Sequence, residues 1–422
     1  MSEKKTILVL SDHPLAPSGV GTQTKYFIET LLLTGRYKFI CLGGAVKHPS
    51  YDMQVITDPR WDEKDWVVQP VDGYGNPEMI RRVMMDNKID LLWFMTDPRF
   101  YPWLWQIENE IRANLPMVYY HVWDNHPPPK FNEKWYRSTD VIASISKVTH
   151  EIVSKVAPEV ENHYVPHAVA SDIFKELEPE HVEHFTNENF PEHDGRMVFF
   201  WNNRNARRKQ SGTLIHWFNK FAEKVGPENV CLIMHTDPKD PNGQDLEQII
   251  RDFNLDDGRI VLSRNKMPAE ALSLMYNMAD CTINISDAEG FGLATLGSLS
   301  CGTPIIVNMT GGLQEQVTDG ENWFGIGLEP TSKALIGSQL VPYIYEDRIN
   351  EDDFVGALET FYNMPPEERK KMGSLGKQHV RDNYNFSLFK QNWIELIDDV
   401  VERLGSWETR SGYQSWELME VK

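Results

Sequence analysis

Residues 287–312, DAEGFGLATLGSLSCGTPIIVNMTGG, leave a chain little freedom in local structure. An acidic residue, Glu289, stands in a turn with Gly290 and Gly292, and a helix of apolar and small residues follows over 293–301 until Gly302-Thr303-Pro304 stops it. The next run, Ile305-Ile306-Val307, is short, continuous and β-branched, as a buried strand requires, and it leads into Gly311-Gly312. A Gly-rich turn feeding a helix N-terminus presents backbone N–H groups and the positive end of a helix dipole, which together receive a phosphate. A carboxylate in the same turn accepts hydrogen bonds from sugar hydroxyls. A pyrophosphate-linked sugar calls for both.

The rest of the chain alternates in a way that can carry such a turn. Residues 6–10, TILVL, form the apolar run of a buried parallel strand and empty into a loop holding Gly19 and Gly21, with a helix expected over 22–33. By itself the Gly-x-Gly spacing reads equally as a tight turn between packed elements. Strand-like runs at 38–42, 54–57, 66–69, 89–95, 117–120 and 140–144 alternate with helices at 77–86 and 147–156. A second series opens at 197–201 and continues as helix 211–225, strand 230–235, a helix ending at 253, strand 260–262, helix 267–276 and strand 279–286. This pattern predicts doubly wound parallel sheets, whose ligands lie beyond the carboxyl ends of the strands. A chain of 422 residues suits two domains of about 200 residues each. The expected division is a first domain over 1–175, a linker over 176–195 dense in Glu, His and Asn, a second domain over 196–385, a closing helix over 386–404 and a loosely held tail over 405–422. Residues 331–347 fit none of these elements. The linker histidines His181, His184 and His193 are too irregular for a metal site.

Composition bounds the function. With 41% hydrophobic and 25% charged residues the chain reads as soluble and globular. It has no apolar run of 18 residues, and residues 1–5 lead straight into a strand, so neither a membrane span nor a secretory signal is expected and a cytoplasmic location is. Cys41, Cys231, Cys281 and Cys301 are far apart and read as reduced structural thiols. A net charge of −20 disfavours non-specific binding to nucleic acid or to an anionic membrane, unless a local basic patch overrules it. The run RNARRK over 204–209 is one such patch. The aromatics of 97–105 read as core packing or, for Phe100, Tyr101 and Trp103, as a platform for a second substrate. His121, Asp124 and His126 sit at the end of the 117–120 strand in a Pro-rich stretch, where a histidine is either structural or a proton relay.

Glu289-Gly-Phe-Gly-Leu293, Cys301-Gly-Thr-Pro304 and Gly311-Gly312 resemble the donor-site signature of the large retaining GT-B glycosyltransferase family, the family 4-like or group 1 type. The resemblance runs from residue 7 to about residue 404 and is strongest over 198–316. It implies an α/β GT-B fold of two facing Rossmann-like domains with a C-terminal helix crossing back to the first. The first domain would bind the acceptor and the second the donor. By the same resemblance, Glu289 holds the donor sugar, and Arg204 and Lys209, which keep the family's spacing although Asn203 and Gln210 replace two glycines, clamp the pyrophosphate. Gly19 and Gly21 approach the donor phosphates, and Gly290, Phe291, Gly292, Leu293, Ala294 and Thr295 cradle the nucleotide. His121, with His126 as second choice, stands near the anomeric carbon, and Asp124, His126 and Tyr101 are assigned to the acceptor.

The family's second Glu, eight positions after the first, holds the donor ribose. Gly297 replaces it here, and the expectation is that Gly297→Glu would tighten nucleotide binding, the alternative being a clash. The implied reaction moves a sugar from a nucleoside-diphosphate sugar to a hydroxyl with retention. It needs no metal and no cofactor beyond the donor as co-substrate, and no stable membrane insertion. The acceptor would be a glycan, a small molecule or a modified DNA base. The rivals are a viral-type DNA-base glycosyltransferase, a non-catalytic sugar-nucleotide-binding protein, and a sugar-nucleotide epimerase of the same fold.

Overall fold

The computed structural model describes residues 3–190 and 195–416. The chain forms two compact units: unit 1 comprises Met1–His167, Gly337–Ile344 and Ser387–Lys422, and unit 2 comprises Ala168–Ile336 and Tyr345–Phe386.

Unit 1 is built on eight strands, β1 (Lys5–Asp12), β2 (Tyr37–Gly44), β3 (Gln54–Val55), β4 (Trp66–Pro70), β5 (Leu91–Met95), β6 (Met117–His121), β7 (Val141–Ser144) and β8 (Glu161–Tyr164), in the order β3-β4-β2-β1-β5-β6-β7-β8. All neighbours are parallel except β3 against β4. The order reverses between β1 and β5, so their carboxyl ends form this sheet's switch point. The helix Phe386–Leu404, all but its first residue, belongs to unit 1. Its Trp393 is fully buried and meets Phe27, Trp93 and Tyr120 at ring separations of 4.8, 5.9 and 4.8 Å.

Residues 405–416 are held more firmly than the loose tail expected from sequence. Arg410 and Asp140 form a buried ion pair at 2.7 Å, Ser406 Oγ donates to Asp90, and Trp407 Nε1 donates to the Ile89 carbonyl. Residues 417–422 lie outside the described residues.

Unit 2 carries β9 (Met197–Asn202), β10 (Val230–His235), β11 (Ile260–Ser263), β12 (Cys281–Asn284), β13 (Ile305–Asn308) and β14 (Gly325–Leu328) in the fully parallel order β11-β10-β9-β12-β13-β14. Both faces of such a sheet are buried, which is why its strands read as unbroken apolar runs. Its switch point lies between β9 and β12.

The expected linker is instead a helix, Pro179–Asn189, joined to unit 2, while residues 191–194, His193 among them, lie outside the described residues. Residues 332–348 hold a two-stranded sheet of β15 (Ser332–Ile336) and β16 (Ile344–Arg348). The four cysteines are buried, and among the described residues none forms a disulfide. Among the described residues no helix is long and apolar enough to cross a membrane.

Candidate functional site

The switch point of unit 2 brings together the loop after β9 and the turn after β12. Lys209 closes a short 3₁₀ turn, Arg207–Lys209, and Gln210 follows in the left-handed region at φ 56° before the helix Ser211–Val225 begins. This is a backbone shape that favours glycine, and it stands where the signature has one. The turn points Lys209 inward: it is buried, and its Nζ pairs with Glu289, itself 9% exposed. Asn284 Nδ2 donates to the same carboxylate at 3.3 Å. Burial pushes the Glu289 carboxyl up, but the charges of Lys209 and Arg208 and the hydrogen bonds from Lys209 and Asn284 outweigh it and pull it down to about 2. Glu289 is therefore an anionic acceptor at any ordinary pH.

Beyond Glu289 the backbone takes over. Gly292, at φ 98°, turns the chain into the helix Leu293–Ser300, and a Cβ there would stand 2.7 Å from Leu313 and from Thr295. Among the described residues no side chain caps this helix, so its first N–H groups, those of Leu293, Ala294 and Thr295, have no partner within it. Gly312 lies against the same turn: its N–H donates to the Glu289 carbonyl at 3.0 Å, and a Cβ on it would reach to 2.6 Å from Phe291 Cα. Two glycine turns thus pack backbone to backbone. Thr295 Oγ1 and Phe291 O are both tied to Gln316, at 2.7 and 2.8 Å.

The β15–β16 insertion is anchored to this turn. Asp347 N donates to Asp287 O at 2.9 Å, Asn308 and Thr310 donate to Asp347, and Arg207 pairs with the buried Glu346. Asp287 is buried beside them and accepts from Gln210 Nε2 at 2.6 Å; burial pushes its carboxyl up to about 6.

Several expected site residues stand elsewhere. Arg204 is turned to Asp240, with its Nε 2.6 Å from Oδ2 and its side chain 63% exposed. Arg208, given no role on sequence, is the arginine whose charge acts on Glu289, and it donates to the Ala288 carbonyl. Gly297 does not face an open space: a Cβ there would meet the Tyr276 ring at 3.0 Å and Phe174 at 3.5 Å, so a Glu fits only if the Tyr276 ring shifts. Tyr276 is held in place by Asn202 Nδ2, which donates to its hydroxyl at 2.9 Å.

In unit 1, Ser18 caps the helix Gly19–Leu32 by accepting from Gly21 N and donates to Asp12. A Cβ on Gly21 would lie 2.8 Å from the carbonyls of His13 and Ala16, so this glycine lets the loop fold back on itself, while Gly19 opens the helix at the surface. His121 is fully enclosed between Tyr119 and Tyr136, with Nε2 2.8 Å from the Tyr136 hydroxyl, and burial lowers its pKa to about 3. A ring so held stays neutral near pH 7. Tyr101 is also a core residue and not an acceptor platform: its hydroxyl donates to the carbonyls of Leu10 and Met95, tying β1 to β5. Asp124 and His126 are half-buried in the segment after β6.

Residues 183–379 match the family described as glycosyl transferases group 1. The trehalose synthase of Pyrococcus horikoshii is 22% identical over 192 residues, which cover 44% of this chain and 40% of that protein, so the chain spans less than half of the relative it matches. Among solved structures, sucrose-phosphate synthase from Thermosynechococcus elongatus superposes with a TM-score of 0.74 at 16% identity, over 95% of this chain and all of that one. HepE of Anabaena, in complex with UDP and glucose, superposes at 0.67 with 13% identity, over 94% of this chain and 100% of that one.

Proposed function

On the premise that residues 183–379 carry a glycosyl transferases group 1 domain within a GT-B fold, we propose that this protein transfers a sugar from a nucleoside-diphosphate sugar to a hydroxyl acceptor with retention of anomeric configuration. The observation that carries the reading is the buried Lys209–Glu289 pair beside the uncapped helix Leu293–Ser300. In the proposed complex the donor pyrophosphate takes the N–H groups of Leu293, Ala294 and Thr295 and draws Lys209 from Glu289, whose freed carboxylate accepts from the sugar hydroxyls. As the nucleoside diphosphate departs, Lys209 and Arg208 stabilise its growing charge, and a metal ion is not required by this scheme. Arg204 joins them by leaving Asp240, an exposed pair worth about 1 kcal/mol or less. HepE's complex with UDP and glucose makes UDP-glucose the first donor to try. The DNA-base acceptor, the epimerase and the non-catalytic binder are not put forward, since no observation favours them.

The test is a panel of UDP-, GDP- and ADP-sugars followed by NMR of the anomeric proton. Release of the α-anomer from an α-linked donor is expected. Glu289→Gln should slow turnover by about 10²-fold or more while leaving nucleoside-diphosphate affinity nearly intact. Failure to bind or turn over any donor would defeat the reading.

A further inference from the structure

The parallel step from β2 to β4 is made without a helix, because residues 45–65 hold only the two-residue strand β3. A parallel crossover ordinarily lays a helix over the sheet, and its omission leaves one face of β2 and β4 only partly covered. Ile40 on β2 and Val67 on β4 are half-buried there, while their neighbours Phe39, Cys41, Trp66 and Val68 are buried. The result is a cleft of about 980 Å³, walled by the sheet and by Met79 and Val83 of the helix Pro77–Asp86. It opens at the amino ends of β1, β2 and β5, where Lys5, Lys38 and Asp90 line it, and so lies at the opposite edge of the sheet from the switch point.

Its charge runs against that of the whole chain. Of its 19 lining residues, six are Lys or Arg and three are Asp or Glu, in a protein of net charge −20. Lys4 is taken by Asp62 and Asp65, Lys5 by Asp90, Arg82 by Asp86 and Lys88 by Glu408, whereas among the described residues Lys38 and Lys64 enter no ion pair. Those two lysines flank one rim, since Phe39 N donates to the Asp65 carbonyl at 2.6 Å. The apolar lining extends to the surface: Met53 is 63% exposed and Met79 38%. Flexible thioethers at a half-open apolar wall suit a ligand of variable shape.

We propose that this cleft binds one anionic amphiphile, a molecule with an alkyl or similarly apolar body and a single phosphate, sulfate or carboxylate head. The body lies on Ile40, Val67 and Val83, and the head sits between Lys38 and Lys64. The site is independent of the donor site of unit 2.

Decyl phosphate, kept below its micelle-forming concentration, is titrated calorimetrically into the full chain beside decanol and inorganic phosphate. One site per chain is expected for decyl phosphate, about tenfold or more tighter than for either part alone, and weaker at high salt. Lys38→Glu with Lys64→Glu, and separately Val67→Gln, should each weaken it by about tenfold, with circular dichroism reporting that the fold is kept. No binding, equal binding of inorganic phosphate, or unchanged affinity in the lysine variant overturns the proposal. Binding only to phosphatidylglycerol vesicles would also overturn it, in favour of a membrane surface.

Discussion

Replacing Lys209 by Ala leaves the Glu289 carboxylate buried with Asn284 and the charge of Arg208 as its remaining support. Breaking a buried pair from one side costs about 3–5 kcal/mol, so Lys209→Ala should lower the urea midpoint as well as donor turnover. Arg204→Ala, at an exposed pair, should cost about 1 kcal/mol or less, and a loss of turnover there would isolate its part in catalysis. Asp287 supplies a pH test of opposite sign to Glu289. The Glu289 carboxyl is depressed from 4.5 to about 2, so its stabilisation is complete above pH 4.5 and fades as pH falls toward 2. The Asp287 carboxyl is raised from 3.8 to about 6, so the folded state holds an extra proton in that window and stability declines as pH rises through it. Asp287→Asn, which keeps an acceptor for Gln210, should flatten that decline and raise stability at pH 7 by about 2 kcal/mol. Melting curves at pH 4.5 and 7 measure the difference; equal slopes in both proteins would refute it.

At the level of elements, Gly297→Glu should drive the Tyr276 ring off its place and cost about 1–3 kcal/mol, with no gain in nucleotide affinity by calorimetry. Tighter binding in that variant would show that the helix Leu293–Ser300 has room that the packing of Tyr276 denies. What was legible in sequence divides along the same physical line. The helices Pro77–Asp86 and Ser211–Val225 were readable to their ends because Asn76 with Pro77, and Gly226, mark where they start or stop. The helix Pro179–Asn189 was not, since it buries none of its residues, leaving no hydrophobic period to read. Lys209 and Glu289 were placed in one site by the resemblance to the donor-site signature, which the residues alone did not supply, and the structure pairs them. The partner of Arg204 was not legible, because Asp240 comes from a loop 36 residues on and only the fold brings it there.

At the scale of the whole molecule, the closing helix is a structural part of unit 1. Trp393→Ala should cost about 3–5 kcal/mol by opening a cavity against Phe27, Trp93 and Tyr120. Arg410→Met, which leaves Asp140 with Arg112 and the Met117 N–H as its remaining partners, should cost about 1–3 kcal/mol. In a thermal scan both should shift the transition of unit 1 and leave that of unit 2 in place; a shift of unit 2 alone would contradict the division. Unit 1 is also assembled from three separated stretches, the last beginning at Ser387. On the ribosome, its first 167 residues therefore emerge with the aromatic face of Phe27, Trp93 and Tyr120 awaiting a tryptophan some 226 residues further along the chain. At about 5–20 residues per second that face stays unsatisfied for about 10 s or more, while the residues of unit 2 are completed first, an interval in which exposed aromatics are open to aggregation.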